Sequence, residues 1–304
     1  MTDVEYSSES LYNELVRHKL ILPVSEPGAF GRGAVFEDVL ERFGDLVTRI
    51  SKNDGAERMQ FPPILDRKTF EKSEFLDSFP HLAGTVFSFK GTEAQAKELQ
   101  AKVKAGESWE DTQSMTGVAL APAACYPVYP ACAGTVPEEG RLVYMQNWVF
   151  RHEPSPEPTR MQSFRCREFI RIGKPEAVFE WRNAWHQRGL ELLLSLGLPA
   201  KSDVAADPFF GRGGRMLAAN QKDQKLKFEV LVPVISKENP TAVCSFNYHQ
   251  DHFGKIFGIH TPDGELAHTA CLGFGMERVV MALFKTHGFV PAEWPKYVRD
   301  LLWP

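Results

Sequence analysis

Apolar side chains recur at helical spacing from Ala34 to Ser51, through Val35, Phe36, Val39, Leu40, Phe43, Leu46, Val47 and Ile50. Asn53-Asp54-Gly55 breaks that helix, and a short strand from Glu57 to Phe61 runs into Pro62-Pro63. Residues 69–105 are helical in part, with an extended piece at Gly84–Phe89. Further on, Leu142–Phe150, Phe164–Ile172 and Lys227–Val234 read as strands, with a helix from Pro175 to Leu196 between the second and third. A last helix is predicted from near Gly273 through Phe284. Residues 1–33 are polar, then rich in Pro and Gly, and read as a lead-in with at most one helix. No repeat, low-complexity tract or Ser/Gly linker interrupts the chain. The economical architecture is a single α+β domain over residues 1–304, built around a largely antiparallel sheet.

The alternation also locates polar residues where they do not belong. In Phe164–Ile172, period two puts Arg165, Arg167 and Arg171 on one face and Phe164, Cys166, Glu168, Ile170 and Ile172 on the other. Glu168 therefore stands on the apolar face, where an unpaired carboxylate is costly, and it requires an arginine or a metal cation. Cys125 and Cys271 could join it. Cys, Glu and Cys with a free fourth position make a catalytic-type zinc site, although no local CxxC spacing marks one and cysteines commonly serve as small buried hydrophobes. At the end of Leu142–Phe150, Arg151 and Glu153 share a face ahead of the stiff loop Pro154–Thr159 and Arg160. An arginine fork beside a carboxylate can hold a phosphate and a base edge of one nucleotide, or form a surface ion pair. Gly273-Phe274-Gly275-Met276-Glu277-Arg278 opens an apolar helix whose N-terminus suits an anion, with Arg278 one turn in.

Composition narrows the class. With 35 basic and 39 acidic side chains the net charge is −4, which speaks against a broad nucleic-acid surface. Five cysteines do not suggest a disulfide framework, and the N-terminus has no signal-peptide pattern, so a cytoplasmic location is expected. The uncharged stretch Thr112–Pro137 carries Pro122, Pro127, Pro130 and Pro137 and is no membrane helix, so no membrane is expected among the partners. Arg212, Arg215, Lys222, Lys225 and Lys227 form a basic stretch that reads as a solvated face or as a surface for an acidic partner.

Taken in order, the helix with Pro62-Pro63 after its strand, Phe150-Arg151-His152-Glu153 with its loop and returning strand, and Gly273–Arg278 resemble motifs 1, 2 and 3 of class II aminoacyl-tRNA synthetases. Glu229 and Cys244-Ser245-Phe246-Asn247 resemble the seryl branch. Cys125, Glu168 and Cys271 fall where its atypical, zinc-dependent archaeal-type members carry their ligands, with Cys132 an alternative to Cys125. The likeness covers roughly residues 30–290. With only a short lead-in before motif 1 and a short stretch after Arg278, no tRNA-binding or anticodon-binding domain is expected. The chain is similar throughout to the amino acid:[carrier protein] ligases, truncated homologues of the atypical seryl enzyme.

That resemblance implies ATP-dependent activation of glycine, alanine or serine, glycine or alanine first. The aminoacyl group then passes to the phosphopantetheine thiol of an acyl or peptidyl carrier protein, without tRNA. It implies Zn²⁺ on Cys125, Glu168 and Cys271, open to the amine of the amino acid, and ATP with Mg²⁺ as further cofactors. Arg151 and Arg278 would clamp the phosphates, and Glu153, Arg160 and Met161 the adenine end. Ala242 in Thr241–Cys244 would contact ATP through its backbone, and Thr241 departs from the seryl pattern as a Mg²⁺ ligand. Motif 1 implies a homodimer. His249, Asp251 and His252 are expected near the substrate mouth. The rival classes are a minimal seryl-tRNA synthetase paralogue, a different adenylate-forming ligase, and a non-catalytic synthetase-like binding protein, the last expected to have lost motif arginines that are present here.

Overall fold

A computed structural model describes residues 7–304. The main sheet has seven strands: β1 (Glu57–Arg58), β2 (Arg141–Phe150), β3 (Ser163–Gly173), β4 (Lys201–Val204), β5 (Lys227–Val232), β6 (Thr241–Gln250) and β7 (His268–Gly275). Their spatial order is β4-β5-β6-β7-β3-β2-β1. Every pairing is antiparallel except β1 with β2 at the edge. The expected antiparallel sheet with flanking helices is thus present.

Helices α1 (Ala34–Ile50), α2 (Pro175–Ser195) and α4 (Met276–His287) cover one face, while α3 (Gly211–Asp223) lies at the rim of the other. Phe36, Val39, Phe43 and Val47 sit at i, i+3, i+7 and i+11 on α1 and are fully buried, each worth about 1.5–3 kcal/mol. Phe36 meets Phe284 of α4 and Phe43 meets Phe274 of β7. α2 begins with Pro175 in its first turn and approaches the sheet at Gly189, where an added Cβ would stand 2.5 Å from the Phe246 ring. A second sheet of Ile64–Asp66, Gln113–Leu120 and Thr85–Phe89 packs its own small core on Leu65, Phe70, Phe75, Leu82 and Ala119.

Two sequence expectations are corrected. The strand after Asn53-Asp54-Gly55 pairs only over Glu57–Arg58, because Phe61 and Pro62 leave the ladder and their carbonyls accept from the Asn147 amide at 3.0 and 3.4 Å. The helix predicted from near Gly273 begins at Met276, and it is not the last, since Lys296–Leu302 forms a further helix. Gly273, Phe274 and Gly275 complete β7, paired with Glu168, Arg167 and Cys166. Among the described residues no helix is long and apolar enough to cross a membrane.

Candidate active site

The face of the sheet opposite the helices carries the site. Alternation on β3 turns Phe164, Cys166 and Glu168 toward it, while Arg165 and Arg167 turn to the helix side. Arg165 reaches Glu37 of α1 with both terminal nitrogens at 2.6 and 2.7 Å. Its Nε and backbone N–H donate to Glu277 at 2.9 and 2.8 Å, and Arg32 stands 3.5 Å from the same carboxylate. Of the arginines that share one face of the strand, Arg165 thus ties α1 to the start of α4, and Arg167 reaches Thr48 of α1 at 2.8 Å.

Glu168 is 4% exposed and, among the described residues, makes no ion pair with an arginine, although the charge of Arg151 is felt at its carboxyl. Instead the N–H groups of Ala124 and Cys125 donate to its two oxygens at 2.9 and 3.0 Å. Cys271 arrives from β7, and the potential ligand atoms of Cys125, Glu168 and Cys271 lie within 4.8 Å of one another, all buried. Burial, reinforced by Cys271, lifts the Glu168 carboxyl to about 7. The hydrogen bond between the two sulfurs holds the Cys271 thiol well below the ordinary thiol range and Cys125 well above it. Asn247 Nδ2 at 3.5 Å and His249 Nε2 at 3.6 Å also favour charge on Cys271. Soft sulfurs with a carboxylate in a dry pocket, short of a cation, fit a three-ligand zinc centre. The structure separates the two cysteine candidates: Cys132 lies against Arg141 in a groove with Glu57 and does not join the triad.

Beside the triad lies a cationic end. Arg151 and Arg278 both stack on Phe164, at 5.6 and 5.9 Å from the ring centroid. Arg151 donates to the Pro122 carbonyl at 3.1 Å. Arg278 donates to the carbonyls of Thr159 and Ala242 at 2.9 and 3.1 Å. Burial first, then the charge of Arg151, lowers the pKa of Arg278, against the opposing pull of Glu153 and Glu229. Among the described residues neither arginine has a carboxylate at ion-pair distance, so the pair suits an anion. Glu153 lies 3.5 Å from Arg160, which also pairs with Glu157 at 3.5 Å. Met161 is buried with its sulfur 3.8 Å from Arg32, below the loop rather than on its surface.

Two cavities meet here. One of about 130 Å³ holds Glu168, Arg278, Ala242 and the backbone of Gly273, where a Cβ would press on Glu168 at 3.3 Å. The other, about 550 Å³, opens past Phe79, Phe209, Leu217, His249 and His252. Ala123, Cys125, Arg151, Asp207, Asn247 and Cys271 line both. Of the three residues expected at the mouth, His249 and His252 line this cavity and Asp251 does not. Lys227 does not belong to the basic surface: it is buried on β5 and bound to Asp207 at 2.6 Å and Glu229 at 3.1 Å. Arg212, Arg215, Lys222 and Lys225 remain exposed on and just after α3. Asp207 and Tyr129 went unnoticed in the sequence, since neither breaks a periodic pattern. Asn247 was legible only as part of the seryl-like stretch Cys244–Asn247, since it shares its strand face with Ser245 and His249 and so breaks no apolar pattern.

The antiparallel sheet, the arginine pair from motifs 2 and 3 and the closed helical face define a class II aminoacyl-tRNA synthetase-like catalytic core. By structure the chain matches M. kandleri SerRS, solved in complex with A. aeolicus tRNASec, with a TM-score of 0.82 at 23% identity, over 98% of this chain and 61% of that one. Prolyl-tRNA synthetase from Cryptosporidium parvum matches with a TM-score of 0.67 at 14% identity, over 92% of this chain and 52% of that one. In sequence, amino acid–[acyl-carrier-protein] ligase 1 of Bradyrhizobium diazoefficiens is 44% identical over 286 residues, 93% of this chain and 87% of its own. Ligase 2 of the same organism is 43% identical over 301 residues, 98% and 87%. The chain belongs to the amino acid–[acyl-carrier-protein] ligase family. A type-2 serine–tRNA ligase of Methanopyrus kandleri is 29% identical over 88% of this chain and 54% of its own length. No family model matches.

Proposed function

We propose that this ligase activates a small amino acid, glycine or alanine, with ATP and passes it to the phosphopantetheine thiol of a holo acyl or peptidyl carrier protein. The observation that carries this is the juxtaposition, across shared cavity walls, of an electron-rich triad with an arginine pair that makes no ion pair among the described residues. An amino acid presents an amine to the first and, once its carboxylate attacks ATP, a developing phosphorane charge to the second.

A zinc ion held by Cys125, Glu168 and Cys271 would supply a Lewis-acidic position for an uncharged amine. Arg151 and Arg278 hold the phosphates, ATP arriving as its Mg²⁺ complex. They stabilise the charge that builds as the carboxylate oxygen bonds to the α-phosphorus and pyrophosphate leaves. Glu153, Arg160 and Met161 hold the adenine end, and the Ala242 carbonyl fixes Arg278 from behind. In the second step the acceptor thiol, entering through the larger cavity, loses its proton and bonds to the acyl carbon, and the bond to AMP breaks. A small pocket beside the triad supports a small side chain, although one methylene discriminates by only about 1–3 kcal/mol. The enzyme is proposed to act in the cytoplasm as a homodimer through α1 and β1, without tRNA.

The test offers labelled glycine, alanine and serine with ATP to a holo carrier protein and to total tRNA together. Hydroxylamine-labile label on the carrier is expected. Label on tRNA alone overturns the proposal, and so does label on neither acceptor when pyrophosphate exchange is also absent.

A further inference from the structure

Each sulfur of the triad has a polar neighbour outside it. Tyr129, four residues beyond Cys125, is fully buried and stacked on Phe253 with ring centroids 4.0 Å apart. Its hydroxyl is buried without a hydrogen-bond partner, near enough to the Cys125 thiol for the two to shift each other's titration. His249 places Nε2 3.6 Å from Cys271 Sγ and Nδ1 3.0 Å from the hydroxyl oxygen of Thr269, itself fully buried. With the Thr269 hydroxyl donating to Nδ1, the ring proton sits on Nε2 and points at the sulfur.

We propose that Tyr129 and His249 are positioning residues of the metal centre, the tyrosine hydroxyl donating to Cys125 Sγ and the histidine Nε2–H to Cys271 Sγ once both are thiolates. This rests on the metal-binding reading of Cys125, Glu168 and Cys271. Two thiolates and a carboxylate bring three negative charges to a dication. Asn247 Nδ2 donates to Cys271 at 3.5 Å from the cavity side, while the Tyr129 ring is backed by Phe253 and Phe257, which solvate no anion. A donor on each sulfur draws off part of the surplus, fixes the direction of its lone pairs and leaves the metal electrophilic enough for a neutral amine.

The test measures zinc affinity by chelator competition and the sulfur-to-metal charge-transfer band of the cobalt-loaded chain. Tyr129→Phe removes only an oxygen from a packed ring, and His249→Ala removes the donor, whereas His249→Gln keeps an N–H near the same place. Tyr129→Phe and His249→Ala are each expected to weaken zinc binding about 10–100-fold and to move the cobalt band. His249→Gln is expected to recover most of the loss. Unchanged affinity and an unmoved band in Tyr129→Phe and His249→Ala overturn the inference while leaving the triad intact. A loss in His249→Gln as large as in His249→Ala overturns the histidine's part. Failure of the unaltered chain to bind either metal overturns the triad reading and this inference together.

Discussion

Glu277 and Glu168 are both buried carboxylates on the same sheet framework, and they are compensated in opposite ways. Glu277, on the helix face, receives two bonds from Arg165 and stands beside Arg32, so its charge is balanced within the chain. Glu168, on the cavity face, receives two neutral N–H groups and faces two sulfurs, so its charge is left for something outside the chain to balance. Strand β3 serves both, with Arg165 on one side and Glu168 on the other. A buried carboxylate with its own arginines is framework. One held by backbone donors beside two cysteines has the composition of the metal site proposed above.

The contrast can be broken most forcefully at the sulfurs. Cys271→Ala is expected to abolish zinc binding and to lower amino-acid-dependent pyrophosphate exchange at least a hundredfold, since a metal supplies several kcal/mol, while the circular dichroism spectrum stays unchanged. Full exchange with unaltered metal content would remove the zinc assignment. Next in size, Glu277→Ala leaves Arg165 and Arg32 without their shared partner and should cost about 3–5 kcal/mol in urea unfolding. Glu168→Gln in metal-free protein should cost nothing comparable.

A smaller effect depends on pH. Burial raises the Glu168 carboxyl from 4.5 to about 7, so the folded metal-free chain keeps a proton that the unfolded chain has lost. The stability this contributes is whole below pH 4.5 and disappears as pH rises through about 7, a change of up to ~3 kcal/mol that Glu168→Gln should flatten. A metal-free stability difference between the two proteins that does not vary from pH 4.5 to 8 would contradict the raised carboxyl. The smallest effect belongs to Arg160, whose side chain is 56% exposed in its pairs with Glu153 and Glu157. Arg160→Ala should change stability by less than about 1 kcal/mol and raise KM for ATP a fewfold with little change in kcat.

Legibility from sequence followed periodicity. The helix Ala34–Ile50 and the two long strands of motif 2 have one apolar face each, so spacing located them and exposed Glu168 as misplaced. Gly273–Gly275 was assigned to the following helix because β7 is buried on both faces, with Leu272 and Phe274 on one side and Cys271 on the other. A continuous apolar run carries no period to separate strand from helix. The Asp207–Lys227 pair was invisible for a different reason: a lysine in a charged run looks solvated until the fold brings a carboxylate from twenty residues upstream. The proximity of three ligands distant in sequence followed from family likeness, and no spacing rule contains it.

Arg278 is held by two carbonyls from separate segments, the motif 2 loop and strand β6. A free arginine side chain surrenders roughly 2 kcal/mol of rotational freedom when it is fixed. Here that loss is incurred as the chain folds, so the guanidinium is immobile before any nucleotide arrives. The phosphate contacts proposed for it would then form without a further ordering penalty.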